Sequence, residues 1–294
     1  MEATLFVPKL VKSLLLPMTE VRILPITDIQ WGAKGCDADR LKQHIDWGLK
    51  NDCYFVGLGD YVDVASPSNR SKFASANFYD TVRDAMDSIS EKHVSELIDI
   101  LQPTKGKWLG LLSGHHYWEF QDGTTTDTRL AQALAAPYLG DGAAKVILKM
   151  VYQPPNGKKK YADAHIWLHH GRGNSRIPGS GVQPLYHISS RIFAHIYLMG
   201  HRHAKEAVKL PWVNHHVSSS GKIHEYHMNR VLAVCGGFLS GYKLGNTDAT
   251  GKPAAGYVEK AMLPPTALGG PMLFIRPKLD SDTGIPLIDA DVSI

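Results

Sequence analysis

Three features are scarce in this chain of 294 residues, and each scarcity excludes a class of protein. No apolar run reaches the roughly 18 residues that a membrane-spanning helix needs. The 3 cysteines form no closely spaced pair, which excludes a zinc site built on cysteine. Charges nearly balance, with 32 Lys and Arg against 28 Asp and Glu, so the strong clustered basicity of a typical nucleic-acid-binding protein is missing.

The cysteines and the first apolar stretch also bear on location. An odd number of cysteines is typical of reduced thiols in the cytoplasm. The apolar stretch at 6–18 is interrupted by Pro8, Lys9, Lys12 and Pro17, and it lacks a small-residue cleavage pattern. We therefore expect no secretory signal and a cytoplasmic location.

Histidine, by contrast, is abundant. The chain has 15 histidines, while apolar residues make up 44% of it. The apolar content is enough to build a sizeable core. The histidines exceed what the packing of an ordinary soluble domain requires, so their placement decides what they indicate.

Apolar patterns predict alternating strands and helices over the first part of the chain. Helices are expected at 37–50, after the capping residue Asp37, and at 78–101, with an apolar stripe along its length. Short apolar runs predict buried strands at 21–27, 53–57, 107–112, 146–152, 165–168, 196–199, 230–235 and 272–275. The alternation implies right-handed crossovers and a sheet covered on both faces. No linker is visible, so we expect a single domain over 1–294, with 236–294 as a C-terminal wrap and final strand.

Metal-competent side chains directly follow five of these strands. Open α/β sheets place their ligand crevice at this C-terminal edge of the strands. The side chains are Asp28, Asp60 with Asp63, His115 with His116, His170, and His201 with His203. Carboxylates together with imidazoles suit Mn, Fe, Zn or Ni, whereas Mg or Ca alone would favour an all-oxygen set. A turn or a core histidine explains any one of these positions, but five strand ends together favour a metal site.

The motifs at these strand ends resemble the pattern of the calcineurin-like metallophosphoesterase superfamily. That pattern is Asp-x-His, Gly-Asp-x-x-Asp, Gly-Asn-His-Asp/Glu, His-Gly and Gly-His-x-His, and the chain carries its five elements in order over residues 28–203. Within the superfamily the chain is most similar to a small phage-encoded branch, which would place it in the host cytoplasm. The resemblance implies an α/β fold, a four-layer α/β/β/α sandwich of two mixed β-sheets flanked by helices, with the metals at the edge of the sandwich.

Carried over position by position, the resemblance implies two divalent metal ions, with Mn favoured and Zn, Fe, Ni or Mg as alternatives. The implied ligands are Asp28 and His203 for one ion, His170 and His201 for the other, and Asp60 as the bridge between them. His116 takes the position of the catalytic histidine, which binds no metal and faces the phosphoryl group and the leaving oxygen.

Three positions depart from the family pattern. Gln30 replaces a histidine ligand, and its amide oxygen is a poorer donor, so either the first ion is loosely held or Gln30 contacts only bound water. His115 replaces the asparagine ligand of the second ion, so this site either gains affinity for zinc or another late transition metal, or loses a ligand if His115 swings away. Tyr117 stands where the family has an acidic neighbour of the catalytic histidine, and Glu119 is a candidate substitute.

Further polar residues lie near these motifs. Arg70 and Arg172 are candidate substrate-binding residues because a guanidinium fork suits phosphate oxygens, the alternative being surface arginines or structural partners of a carboxylate. Asp63 is expected to support a ligand rather than to bind metal. Four histidines near one predicted hairpin form either a weak second metal site or surface or cross-strand pairs: His215, His216, His224 and His227.

The function that the resemblance implies is metal-dependent hydrolysis of a phosphomonoester or phosphodiester. A metal-bound hydroxide would be the nucleophile and His116 the general acid. The expected partner is a phosphoester substrate, with a nucleotide or a nucleic acid among the candidates, and no membrane. The alternatives are a DNA or RNA nuclease of the same superfamily, against which the near-neutral charge argues, and a non-catalytic metal-binding scaffold, which Gln30 and His115 favour. The oligomeric state stays open.

Overall fold

A computed structural model describes residues 9–10, 14–76, 79–173, 177, 179–217, 220–242, 250–253, 255–260, 262–280 and 283–294. The strands are β1 (Lys9–Leu10), β2 (Leu14–Pro17), β3 (Val21–Ile26), β4 (Tyr54–Gly57), β5 (Trp108–Leu112), β6 (Tyr138–Gly140), β7 (Ala143–Tyr152), β8 (Lys160–His169), β9 (Ile196–Met199), β10 (Glu206–Val217), β11 (Ile223–Val234), β12 (Met272–Leu279) and β13 (Pro286–Ser293). The helices are α1 (Ala38–Lys50), α2 (Pro67–Ser75), α3 (Asp80–Leu101), α4 (Thr126–Ala133), α5 (Gln183–Ser189) and α6 (Tyr257–Lys260).

The described strands form two mixed sheets. The first sheet has six strands in the order β13-β12-β3-β4-β5-β6. In it β3, β4, β5 and β6 run parallel, whereas β12 is antiparallel to both β3 and β13. The second sheet has seven strands in the order β1-β7-β8-β9-β11-β10, and β2 also pairs with β7. The parallel strands β8, β9 and β11 form its centre.

Apolar side chains pack the two sheets face to face. Ile23 and Val56 of the first sheet share a buried cluster with Leu148, Ile166 and Leu198 of the second. Each large side chain buried in this way stabilises the fold by about 1.5–3 kcal/mol relative to leaving it in water. The protein is therefore a two-sheet α/β sandwich.

Helices cover the outer faces of both sheets. Leu41 of α1, Leu97 of α3 and Leu130 of α4 pack against Phe55 and Leu111 on the outer face of the first sheet. On the outer face of the second sheet, residues of β8, β9 and β11 enclose the buried Leu185 of α5. No helix of the described residues is both long and apolar enough to cross a membrane.

Most of the predicted elements are confirmed. The strands expected at 21–27, 53–57, 107–112 and 196–199 are β3, β4, β5 and β9, each correct to within one residue at either end. Of the other four predicted strands, those at 146–152, 165–168 and 272–275 are parts of β7, β8 and β12, and the one at 230–235 matches the end of β11 to within one residue. The helix expected at 37–50 is α1, where the Asp37 side chain accepts a hydrogen bond from the Arg40 N–H at 2.9 Å.

Two expectations need correction. The predicted start of the second helix, residue 78, lies outside the described residues. The apolar stripe of α3 is buried only in its second half. Val82 and Ile89 are exposed, whereas Val94, Leu97 and Leu101 are buried. The segment 236–294 ends in two strands rather than one. The sequence of β13 is interrupted by Asp289 and Asp291, so it lacks the continuous apolar run from which strands were predicted.

Candidate metal centre

The strand ends of the two sheets bring the predicted site residues to one place. Asp28 and Gln30 follow β3, Asp60 follows β4, and His115 follows β5, all in the first sheet. The other ligand candidates come from the second sheet, where His170 directly follows β8. His201 and His203 follow β9 of that sheet. The site therefore lies where corresponding edges of two packed sheets meet.

The backbone of these strand ends is locally strained. Five site residues have φ between 50° and 67°, in the left-handed region: Asp28, Gln30, Asp60, His201 and His203. Residues other than glycine rarely adopt this conformation, and such residues concentrate at functional sites where neighbouring contacts hold them. Here the Asp28 N–H donates to the Gly59 carbonyl at 3.0 Å, and the His201 N–H donates to Asp28 Oδ2 at 2.8 Å.

Close packing of two loops depends on glycine. A Cβ atom on Gly114 would lie 2.0 Å from the Asp60 nitrogen and 2.2 Å from Asp60 Oδ1. Gly59 has a φ of +100°, and a Cβ atom there would lie 2.5 Å from the Gly114 Cα. These glycines let the loops after β4 and β5 touch, which brings the Asp60 carboxylate under the backbone of His115 and His116. Both of those residues donate their N–H groups to Asp60 Oδ1, His116 at 3.0 Å.

Four side chains form a compact cluster of potential metal ligands. Asp60, His115, His170 and His201 each offer one ligand atom, and these atoms all lie within 4.8 Å of one another. His170 Nε2 lies 3.3 Å from Asp60 Oδ2, and the Nδ1 atoms of His115 and His201 are 3.3 Å apart. Three imidazoles with one carboxylate is a donor set that suits zinc and other late transition metals.

The pKa values of the imidazoles in the cluster are shifted in opposite directions. Burial lowers the pKa of His170, but the adjacent Asp60 carboxylate outweighs burial and raises that pKa to about 9. Burial, together with the charge of His170, lowers the pKa of His201 to about 4 and lowers the pKa of His115 as well. Burial raises the pKa of Asp60, but His170 and His116 outweigh it and hold that pKa well below its usual range. His115 and His201 are therefore neutral near pH 7, the form in which imidazole binds metal.

Unpaired buried atoms show that the residues fit a cation. His170 donates from Nδ1 to the Leu58 carbonyl at 2.6 Å, and its Nε2 faces Asp60. His170 Nε2 and Asp28 Oδ1 are both buried without a hydrogen-bond partner. Metal-binding histidines characteristically donate their second ring N–H to a carbonyl or carboxylate in this way. Divalent cations bound at the site would satisfy these two atoms.

A second group of donors adjoins the cluster. His203 Nε2 lies 3.6 Å from Asp28 Oδ1, and Asp28 Oδ2 accepts a hydrogen bond from the Thr27 hydroxyl at 2.6 Å. Gln30 turns its amide nitrogen toward the Asp60 carboxylate, and Nε2 donates to Asp60 Oδ2 at 3.3 Å. Asp60 thus contacts Gln30 as well as the histidines of the cluster.

His116 lies at the rim of the cluster. Its Nδ1 is 2.9 Å from Asp63 Oδ1, and its Nε2 is 4.0 Å from Asp60 Oδ2. The side chain is 29% exposed, so it can reach a molecule that approaches from solvent. Burial lowers the pKa of His116, but the hydrogen bond with Asp63 and the charge of Asp60 outweigh it and raise the pKa above its ordinary value. The acidic partner of His116 is therefore Asp63, and the exposed Glu119 does not take that place.

No protein-family model matches the chain, and no curated protein matches it either. The superfamily resemblance therefore depends on the five motifs and on the arrangement of their residues.

Arg70 holds the loop that carries the histidines. Its Nη1 donates to the carbonyls of Ala65 at 2.7 Å and Tyr117 at 3.0 Å, and also to the carbonyl of His115. The guanidinium group lies 3.9 Å from the centre of the Tyr117 ring. This nitrogen is engaged with backbone and is not available to a phosphate oxygen. Arg172 is exposed two residues after His170, and the contacts of the described residues do not bring it into the cluster.

The four remaining histidines of interest lie on the hairpin of β10 and β11. His216 is directly opposite His224, and His215 is directly opposite Glu225. The Nε2 atoms of His215 and His227 lie 3.4 and 3.2 Å from the Glu225 carboxylate. These contacts are cross-strand and same-strand pairs on a hairpin whose side chains are largely exposed.

One supporting residue escaped the sequence reasoning. Asp127, at the start of α4, is fully enclosed, and its Oδ2 accepts hydrogen bonds from the Ser113 hydroxyl at 2.9 Å and the Gly114 N–H at 3.1 Å. Burial outweighs these hydrogen bonds and raises the pKa of Asp127 to about 6. Asp127 therefore fixes the start of the His115–His116 loop. In sequence it stands in a helix-capping pattern, which gives no sign of a link to β5.

Proposed function

We propose that this protein is a metal-dependent phosphoester hydrolase with the fold and site arrangement of the calcineurin-like metallophosphoesterases. The observation that supports the proposal most is the position of His116, a partly exposed imidazole paired with Asp63 at the rim of a largely buried carboxylate–imidazole cluster. A site for metal storage or structural metal needs the cluster alone. A rim histidine with its own carboxylate partner is the arrangement of a general acid.

Two divalent ions would be held by the residues at the strand ends. Asp60, His115, His170 and His201 would hold one, and Asp28 with His203 and the shared Asp60 would hold the other, beside Gln30. When bound, divalent ions at such a site neutralise charge on a phosphoryl group and make water more acidic. Because Gln30 offers a weak neutral donor, the imidazole-rich site is expected to bind its ion more tightly.

The chain's own residues then supply orientation and proton transfer. Asp63 fixes the ring of His116 through Nδ1, so that Nε2 faces the cluster. His116 would hold a proton at Nε2 and give it to the leaving oxygen of the ester. Arg70 keeps the loop in place through the carbonyls on either side of His116. A positioned general acid of this kind typically accelerates hydrolysis by about 10²–10⁴-fold.

The first experiment measures metal content and ester hydrolysis on the purified protein. Bound metal is quantified by inductively coupled plasma mass spectrometry. Turnover of p-nitrophenyl phosphate and of bis-p-nitrophenyl phosphate is measured with added Mn, Ni, Co, Zn or Mg. We expect bound metal and turnover of at least one ester. Metal without turnover of either ester under all five ions would support a non-catalytic scaffold, and cleavage of DNA or RNA only would support a nuclease.

Two substitutions separate the roles of the cluster and of His116. Asp60→Asn is expected to lower metal content, since Asp60 is the one carboxylate among the four residues of the cluster. His116→Ala is expected to retain metal and to lose about 10²–10⁴-fold in turnover. His187→Ala, at an exposed histidine of α5, is the control and is expected to change neither quantity. Metal loss in His116→Ala would show that His116 is a ligand and contradict its role as the acid.

A further inference from the structure

A pocket lies directly behind the loop that carries His116. It has a volume of about 560 Å³ and is bounded by α2, by the first half of α3 and by the loop at 118–123. Its apolar wall is formed by Phe73, Val82, Met86, Trp118 and Phe120. Pockets of this size are typical of sites for small organic ligands. The exposure of Val82 and the weak apolar pattern in the first half of α3 have their explanation here, because this part of the helix faces the pocket.

The pocket shares a wall with the proposed catalytic site. Trp118 is two residues from His116, so their Cα atoms are at most about 7.6 Å apart. Arg70 lines the pocket and binds the carbonyls of His115 and Tyr117, which flank His116 in the chain. The Val64 N–H also donates to the His116 carbonyl at 3.3 Å. The pocket and His116 therefore lie on one short loop, whose backbone Arg70 holds.

The chemistry of the lining favours a flat heteroaromatic group. Phe73 and Trp118 meet edge to face, with ring centres 6.0 Å apart. Asp87 is already engaged, since its Oδ1 accepts from the Trp118 ring N–H at 2.7 Å and its Oδ2 from the Gln121 N–H at 3.2 Å. Arg83 lines the same pocket, and among the described residues it pairs with no carboxylate. An aromatic wall beside an uncommitted guanidinium group suits a ring that has both a π-face and hydrogen-bonding edges.

We infer that this pocket receives the nucleobase of a nucleoside phosphoester whose phosphate lies at the metal cluster. The inference rests on the proposed function, and it specifies the substrate class of that site. An alkyl chain would use the apolar wall and leave Arg83 without a role. A nucleoside uses both, because the base contacts the wall and its edge accepts hydrogen bonds from the guanidinium group.

The test fills the pocket from the surface of α3. Val82→Trp places a large side chain in the pocket at an exposed helical position, and Ile89→Trp, on the same helix but outside the pocket, is the matched control. The substrates are the p-nitrophenyl phosphodiester of thymidine and, as the small reference ester, bis-p-nitrophenyl phosphate. We expect Val82→Trp to raise KM for the thymidine ester at least about tenfold and to leave the small ester within about twofold. Ile89→Trp should resemble the unaltered protein with both esters.

A binding measurement that needs no turnover keeps the two proposals separable. Equilibrium dialysis of adenosine with the unaltered protein should show binding that Val82→Trp weakens at least about tenfold and Arg83→Gln weakens to a smaller extent. If neither ester is hydrolysed but adenosine binds in this Val82-dependent way, the hydrolase proposal fails and the base pocket stands. If both esters are hydrolysed and Val82→Trp changes neither KM nor adenosine binding, the pocket inference is overturned. The inference would also be overturned if long-chain alkyl phosphates had a lower KM than the small ester, if Val82→Trp abolished that difference, and if the thymidine ester showed no such difference.

Discussion

His116 is oriented by the carboxylate of Asp63, which is not one of the four residues of the cluster. Asp63 contacts His116 Nδ1 at 2.9 Å and leaves Nε2 as the nitrogen that faces Asp60. The Gly-Asp-x-x-Asp motif brings both aspartates into the site from one short segment after β4. Asp60 enters the cluster, and Asp63 reaches the rim. One motif therefore supplies both the shared anion and the partner of the proposed acid.

Replacement of Asp63 should affect turnover without affecting metal. Asp63→Asn removes the charge that stabilises a protonated His116 and lets the amide present a donor to Nδ1. Loss of such a supporting contact is expected to lower turnover of bis-p-nitrophenyl phosphate by about 10–100-fold. Metal content is expected to stay unchanged. The control is Asp99→Asn at an exposed position of α3, and a parallel loss of metal in Asp63→Asn would contradict the assignment.

The residues of the site were predictable where a motif follows a strand, and not elsewhere. Asp28, Asp60, His115, His170 and His201 each stand directly after an apolar run, and the structure brings all of them together. Asp127 and the backbone contacts of Arg70 come from segments joined to the site only by tertiary packing. Their chemistry could not be inferred from neighbours in the sequence, since those neighbours indicate helix caps and turns.

At the scale of elements, the contact between the loops after β4 and β5 controls the cluster. Gly114→Ala adds a Cβ atom 2.0 Å from the Asp60 nitrogen, so one loop must shift. We expect a loss of about 1–3 kcal/mol in the free energy of unfolding, measured with urea, together with lowered metal content. Gly35→Ala is the control, because its added Cβ atom meets its nearest neighbour at 3.4 Å, an ordinary contact. Unchanged metal content in Gly114→Ala would show that the loop contact does not position Asp60.

Short elements were harder to predict than long ones. The patterns of α1 and of the buried strands are strong because one face or both faces are apolar. The eight-residue α4 is set by a capping box in which Thr125 and Thr128 bond each other's backbone, and its apolar face is only two turns long. The first half of α3 faces a pocket rather than the core, so its apolar side chains wrongly predicted a buried face along the whole helix. A periodic pattern does not distinguish a core from a cavity.

For the whole molecule, two buried histidines outside the cluster make stability depend on pH. His44 Nε2 accepts a hydrogen bond from the Gly270 N–H at 3.3 Å, and His195 Nδ1 accepts one from the His165 N–H at 3.0 Å. Burial lowers the pKa of both to about 3. In the unfolded chain the two histidines are protonated as the pH falls through about 6.5, whereas in the folded chain they stay neutral down to about pH 3. Stability is therefore complete above about pH 6.5 and falls as the pH drops toward 3.

Replacing both histidines with neutral acceptors should flatten this dependence. His44→Gln and His195→Asn keep an acceptor near each ring nitrogen and do not titrate. Between about pH 7.5 and pH 5.5, each native histidine is expected to cost about 1.4 kcal/mol in the free energy of unfolding, measured with urea. Over the same pH interval, the free energy of unfolding of the double variant should fall by about 1.4 kcal/mol less per replaced histidine than that of the unaltered protein. Titration of the cluster is common to both proteins and cancels in the comparison, so equal slopes would contradict the assignment.

The global arrangement of the sheets was only partly predictable. The parallel order β3-β4-β5 follows from alternating strands and helices, since crossovers favour one hand. The pairing of β12 with β3 joins residues about 250 positions apart, as in the match of Leu273 with Ile23. Apolar strands of similar composition carry no mark of their partner, so no local pattern could reveal that the wrap at 236–294 returns to the middle of the first sheet.

The position of β12 has a consequence for the order in which the protein is made. Every proposed metal ligand lies between residues 28 and 203, whereas the strand that closes the free side of β3 begins at Met272. A growing chain therefore contains the complete set of motifs while β3, which ends at Ile26 just before Asp28, still exposes unpaired backbone along one edge. A fragment cut to the boundaries of the motifs would keep all the chemistry and lose the strand that shields it from aggregation. The motifs mark the site, but we expect the smallest unit able to build it to extend at least to β12.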